Sequence, residues 1–377
     1  MKKTNQIVII LLLLLSHFVF AQDETKTNPL KSKNTIHWGV NIHVGGNYPG
    51  NLANVISKRN LNYVRMDLEV RKPEDLSKFV NAARIMKSKG IKITAILFSE
   101  FALNRSRDKD YSADLTEVEK TAYEHVKLHI LQTKDYVAEY ELQNEVPLYP
   151  NIRKADSTGQ TAADFDTPAG RLQAAALKGM ANAVNDIRKS YKLPIRIILG
   201  TVDRRFGFLT FMQQQGVIFD VVAYHVYPWE NHKPLDTDPW FGIGGALGQL
   251  AQFNKPILIN EFNSGEIYQG GSGHPGIDYE NTAGKEVTEA GFRSLYKHLS
   301  VIVNQTVANV EGVYFYEIND EPNKAKPENR FGLFYDEKLH NPKISLCIAT
   351  AFAGGKLSKA ERMLLISRGF IYNLGVK

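Results

Sequence analysis

The chain has 377 residues, 43% hydrophobic and 23% charged, with a single cysteine, Cys347. No intrachain disulfide is possible, so stability must come from a large core, and the length suits one large domain or two small ones. The net charge of +6 comes from interspersed acidic and basic residues without a polybasic tract, which argues against nucleic acid as a partner and leaves only a mild bias toward an acidic polymer.

Lys2 and Lys3 precede the apolar run IVIILLLLLSHFVF (7–20), and Ala21 follows with Val19 two residues before it. Residues 1–21 therefore read as a secretory signal peptide, with a membrane anchor as the alternative because the run nears the lower limit for a span. A secreted or periplasmic protein is expected, with no stable membrane insertion after signal cleavage. Residues 22–35 are polar and read as a linker.

Beyond it, short β-branched runs alternate with longer helical patterns. HWGVNIHV (37–44) reads as a strand and is followed by a helix around 50–59. NYVRMDLE (62–69) precedes PEDLSKFVNAARIMKSKG (73–90), whose apolar residues recur at helical spacing and whose Gly90 suits a C-cap. IKITAILF (91–98) leads to a helix near 116–133, and YVAEYELQNE (136–145) to one near 168–191. IRIILGTV (195–202) pairs with FGFLTFMQQQG, and FDVVAYHVYP (219–228) with a helix near 240–253. KPILINEFNS (255–264) pairs with a helix near 284–304, and VEGVYFYEIND (310–320) with KISLCIATAFAG (343–354). Eight strand-then-helix units predict an α/β fold, a single-domain (β/α)8 TIM barrel over 36–354, rather than an open doubly wound sheet. The glycines of HVGGNYPG (43–50) lack the GxGxxG spacing of a dinucleotide site. Residues 355–377, partly apolar, read as an extension packing on the barrel.

In such a barrel the chemistry sits at the C-terminal ends of the strands. Those ends carry Arg65 and Asp67 on the second strand, Asn144 and Glu145 on the fourth, and His225 and Tyr227 on the sixth. Glu261 closes the seventh, and Glu317, Asn319 and Asp320 the eighth. Strands four and seven face each other across the mouth, so Glu145 and Glu261 can flank one bond. Glycoside hydrolysis needs this pair: one carboxyl protonates the leaving oxygen while the other attacks the anomeric carbon or activates water. Glu141, Gln143 and Glu145 share one parity and should face the interior. An unpaired Glu141 would be costly there, so it reads as paired and structural. Arg65 suits two roles that can coexist, partner of Glu141 or a cation holding Glu261 ionised. His225 is either a satisfied core residue or a substrate contact beside Tyr227. Trp229, Trp240, Tyr149, Tyr268 and Tyr279 are loop aromatics that either pack or stack on sugar rings.

Metal ligation finds little support. His37 and His43 are six residues apart, without HxH, HExxH or a carboxylate-rich cluster, and no GxSxG elbow is present. No metal and no cofactor is implied. Cys347 falls in the last helical pattern and reads as core.

On these residues the chain resembles the clan A glycoside hydrolases, retaining (β/α)8 enzymes with one catalytic Glu after strand four and another after strand seven. The resemblance spans roughly residues 36–350. Asn144–Glu145 matches the clan's Asn–Glu signature, which implies Glu145 as acid/base and Asn144 as the group binding the sugar 2-hydroxyl. PILINEFNSG implies Glu261 as nucleophile, and YVRMD implies Arg65 as its support. AYHVYP implies His225 and Tyr227 at the site, with Tyr227 hydrogen-bonded to the nucleophile. FGLFYDEKLHNPK resembles the run that often follows strand eight. One departure is Tyr316, in GVYFYEIND, where many members place a Trp platform.

The resemblance implies double displacement on a poly- or oligosaccharide. Glu261 attacks, and Glu145, protonated through a raised pKa, first donates to the leaving oxygen and then serves as base. Carboxylates about 5–5.5 Å apart are expected. The alternative is a non-catalytic carbohydrate-binding barrel of a glycan-capture system, and a metal- or phosphate-dependent barrel enzyme is a third reading. The loops 146–167 and 263–283, rich in Gly and polar residues, are expected as mobile cleft walls.

Overall fold

A computed structural model describes residues 36–43, 51–99, 101, 113–227, 233–263, 285–324 and 328–370. The signal peptide expected at 1–21, the linker at 22–35, Trp229, Tyr268, Tyr279 and nearly all of the loop 263–283 lie outside the described residues.

Eight parallel strands pair in chain order and close into a barrel: β1 (His37–Ile42), β2 (Tyr63–Leu68), β3 (Lys92–Leu97), β4 (Glu139–Leu142), β5 (Arg196–Val202), β6 (Val221–Val226), β7 (Ile257–Phe262) and β8 (Val310–Phe315). The helices between them are α1 (Leu52–Lys58), α2 (Pro73–Ser88), α3 (Leu115–Thr133), α4 (Pro168–Tyr191), α5 (Gly207–Gln214), α6 (Gly245–Ala251) and α7 (Lys285–Asn304). After β8 come α8 (Ile344–Phe352) and α9 (Lys359–Ser367). The architecture is a single-domain (β/α)8 TIM barrel.

Local chemistry sets the helix limits. Asp114 and Thr167 cap α3 and α4 through their side-chain oxygens, and Pro168 occupies the first turn of α4, where its missing N–H costs nothing. After α2, Gly90 adopts φ +73°, the left-handed region that only glycine enters cheaply. Among the described residues no helix is long and apolar enough to cross a membrane.

Two packed layers result. Outward side chains of the strands meet the apolar faces of the helices in one large core, which takes in Cys347 on α8. Inside the barrel, Ile198, Val221, Ala223 and Leu258 form a small apolar cluster. Two residues further along their strands, on the same face, stand Gly200, His225 and Asn260. The interior is polar on both sides of this cluster: Thr94 and Arg196 hold Glu139 toward the N-terminal ends, and His225 and Asn260 face the C-terminal ends, where a site can form.

The 146–167 segment, expected as a mobile wall, carries two local anchors. Thr161 and Asp164 form a capping box, and Phe165 is fully buried edge-on against Phe208 of α5. At the C-terminus, Glu361 of α9 pairs with Arg59 at 2.7 Å, and the buried Phe370 meets the Tyr296 ring.

Candidate active site

Arg65 organises the barrel mouth. β2 delivers it to the interior, where it is 2% exposed. Its Nε and Nη2 form a fork onto Glu141, donating to Oε2 at 2.6 Å and Oε1 at 3.0 Å. Nη1 donates to Glu261 Oε1 at 2.7 Å and to Asn41 Oδ1 at 2.9 Å, and Nη2 donates to Asn144 Oδ1 at 2.7 Å. A guanidinium offers five donors in a rigid plane, so one side chain can hold two carboxylates and two amides at once. Burial opposes its charge, but Glu141 and Glu261 outweigh that and push its pKa further up. Arg65 thus pairs with both Glu141 and Glu261.

β7 contributes two consecutive residues to the interior through a bulge. Tyr224 of β6 partners Ile259, while the next residue, His225, partners Glu261. Asn260 is the extra residue, and such an insertion lets two neighbours face one side. Its amide donates to Glu141 Oε2 at 2.8 Å, and its carbonyl accepts from Asn41.

Glu145 arrives differently from the alternation expected along strand four. The strand ends at Leu142, and Gln143 (φ +60°) and Glu145 (φ +48°) both turn left-handed. Parity fails beyond that point. Gln143 faces the helix layer, donating to Ser99 Oγ at 2.9 Å and approaching Met180 Sδ at 3.5 Å on α4. Non-glycine residues in this region each cost roughly 1–3 kcal/mol, and such strain concentrates at functional sites.

His225 Nδ1 lies 3.0 Å from Glu145 Oε1 and 3.2 Å from Glu261 Oε2, and Tyr227 Oη donates to Glu261 Oε2 at 2.7 Å. One oxygen of Glu145, one of Glu261 and a His225 ring nitrogen all lie within 4.8 Å of one another. Burial opposes the charge on His225, but Glu261 and the Glu145 hydrogen bond prevail and raise its pKa. Burial also opposes the charge on Glu145, yet the hydrogen bond and charge of His225, with Arg65 and Arg205, lower its pKa. This corrects the raised value expected for Glu145 from sequence.

Across the mouth, Lys324 Nζ donates to the Tyr316 hydroxyl at 2.9 Å and to both Glu317 oxygens at 3.0 and 3.1 Å. His43 bridges Asp67 at 2.8 Å and Glu317 at 3.0 Å. Burial works against its charge, but those two carboxylates raise its pKa to about 10. Tyr316 stands edge-on to Tyr227 and Phe331. A cavity of about 510 Å³ opens beside His43 and Asp67, bounded by Leu68, Arg71 and Phe79. Trp240 is 44% exposed, under the Arg204 guanidinium.

Sequence reasoning missed Asn41, Asn260 and Lys324. Asn41 is a buried amide at an inward position of β1, which is a usable signal. Two trios among the described residues have metal-ligand spacing, Glu145–His225–Glu261 and His43–Glu317–Glu321. The second already holds a cation, since Lys324 Nζ lies 2.8 Å from Glu321 and 3.0 Å from Glu317.

No sequence-family model matches the chain, and no curated protein matches it. Solved structures do. The GH53 catalytic domain of Ignisphaera aggregans superposes with a TM-score of 0.55 at 16% identity, over 84% of this chain and 95% of that one. A beta-glucosidase from Thermotoga maritima gives 0.54 at 12% identity, over 86% and 99%, and one from Exiguobacterium marinum 0.52 at 12%, over 81% and 86%. The likeness is one of fold. The barrel is shared with glycoside hydrolases.

Proposed function

We propose that the chain is a secreted or periplasmic retaining glycoside hydrolase acting on a poly- or oligosaccharide. The observation that carries this is the approach of Glu145 and Glu261 oxygens to within 4.8 Å. Retaining enzymes hold their carboxyl groups about 5–5.5 Å apart, whereas inverting enzymes leave about 6.5–9.5 Å for a water. The glycosidases that share the fold support the same class of chemistry.

Glu261 is the nucleophile. Arg65 and Tyr227 donate to its two oxygens and fix the carboxylate in place. Attack on the anomeric carbon gives a glycosyl ester and consumes that charge. Glu145 supplies the proton to the leaving oxygen, drawing it from His225 Nδ1 across their 3.0 Å hydrogen bond. A bound sugar displaces water from the partly exposed Glu145 and favours its neutral form. With the leaving group gone, Glu145 takes a proton from water, whose oxygen attacks the anomeric carbon and frees Glu261.

Hydrolysis of a panel of aryl glycosides and of plant and algal polysaccharides by the mature protein tests this, with product anomers followed by NMR. Release of the same anomer as the substrate is expected. An inverted product would exclude the glycosyl ester.

A further inference from the structure

On the β5 side of Glu145 the chain turns through Asp203, at φ +58°, into Arg204 and Arg205. The turn is pinned from behind. Tyr224 Oη donates to the Asp203 carbonyl at 2.9 Å, and Thr201 Oγ1 donates to the Arg205 carbonyl at 2.8 Å. Arg205 and Arg153 both run along Gly159. A Cβ there would stand 2.9 Å from Arg205 Cγ and 3.4 Å from Arg153 Cδ, and φ +81° already requires glycine. Arg204 lies with its guanidinium carbon 5.2 Å from the centre of the exposed Trp240 ring.

Arg205 is thus near enough to Glu145 for its charge to act on that carboxyl, Arg153 lies along the same glycine as Arg205, and Arg204 is its chain neighbour. Among the described residues none of them has a carboxylate within ion-pair distance, although other arginines of the chain are paired. Arg153 Nη1 reaches the Ser157 hydroxyl at 3.3 Å. Among the described residues Arg205 Nη1 is buried without a hydrogen-bond partner. The carboxylates whose charges reach Arg205 are Asp203 and Glu145, and burial raises the pKa of Asp203. Like charges held this close repel, and a buried charged donor without an acceptor is costly. An anion from outside would relieve both.

We propose that Arg153, Arg204 and Arg205, with the Trp240 ring as a platform, form a subsite for an anionic sugar residue bearing a carboxylate or a sulfate ester. Guanidinium forks fit the paired oxygens of either group, and the indole face fits the apolar face of a pyranose. Its position beside Glu145 puts the subsite on the leaving-group side of the cleaved bond, an assignment that rests on the glycosidase reading above. The substrate is then an acidic polysaccharide, cleaved next to a charged residue.

Binding tests this without turnover. The full-length Glu261→Gln chain is run in native affinity gels containing glucuronoxylan or its carboxyl-reduced form, and a sulfated galactan or its desulfated form. At least one anionic polymer should retard it tenfold more strongly than the neutralised counterpart, and the pair that responds tells carboxylate from sulfate. Adding Arg204→Gln with Arg205→Gln, which keeps the packed stems, should abolish that difference, and Arg153→Gln alone should reduce it. A control losing two distant exposed cations, Lys120→Ala with Lys189→Ala, should keep it within twofold, and unfolding midpoints confirm that each variant is folded. Equal retardation by charged and neutral polymers overturns the proposal. So does equal loss in the lysine control, or full retention in the arginine variants. The two readings separate cleanly. Turnover of neutral aryl glycosides without anion preference sinks only the subsite, and anion-selective binding without any turnover sinks only the glycosidase.

Discussion

His225 Nδ1 stands 3.0 Å from Glu145 Oε1, in a barrel interior where the imidazole is buried. The shifts of the two groups are opposite in sign, the imidazole up and the carboxyl down. They therefore titrate as a pair, and the alkaline limb of a pH–rate profile reports the pair rather than Glu145. His225→Gln removes the group that stores the proton. The alkaline limb of kcat/KM should then move to lower pH, toward the carboxyl's own titration. An unmoved limb would return proton storage to Glu145 itself.

The two carboxylates should separate by leaving group. Glu145→Gln should slow hydrolysis of an unactivated glycoside by about 100- to 10,000-fold, the usual worth of general acid–base assistance. With a dinitrophenolate leaving group, which needs no proton, its first step should survive and a glycosyl-enzyme should accumulate as a burst. Glu261→Gln should give no burst with either substrate. Equal behaviour of the two variants in stopped-flow measurements would refute the division of roles.

Arg65 also supports the fold. Arg65→Met leaves Glu141 and Glu261 buried without their shared cation, and breaking such a pair from one side typically costs roughly 3–5 kcal/mol. Denaturant unfolding should show a loss of that size. Arg65→Met with Glu141→Leu should recover part of it, because one orphaned carboxylate disappears. No recovery would mean that Glu141 is satisfied mainly by Asn260.

His43 predicts the pH dependence of stability. Its pKa is raised to about 10, so its contribution is fully present below about pH 6.5 and is lost as pH rises toward 10. Asp67, Glu317, Glu321 and Lys324 are the charged groups facing it. The unfolding midpoint of the native chain should fall across that window, and the His43→Gln variant should show a flatter profile. Parallel profiles would remove His43 from the account.

The barrel was legible because its strands are apolar and its helices amphipathic, and each signal is local. Arg65, Glu145 and Glu261 stood out for a related reason, as charges closing apolar strands. What stayed hidden depends on departures from regularity or on distance in the chain. Gln143 was assigned inward because alternation assumes an unbroken strand, and the left-handed turn reverses it. The lowered pKa of Glu145 is not legible locally, because its imidazole partner is supplied by a strand eighty residues away. Lys324 and His43, 281 positions apart, meet only once the barrel closes.

The extra residue in β7 has an evolutionary side. Before it, Leu258 points inward and Ile259 outward; after it, Glu261 points inward and Phe262 returns to the outer core against Phe315. A single added codon therefore supplies an amide for Glu141 without displacing the neighbouring carboxylate or disturbing strand pairing further along. New rim chemistry of this kind needs no redesign of the surrounding wall.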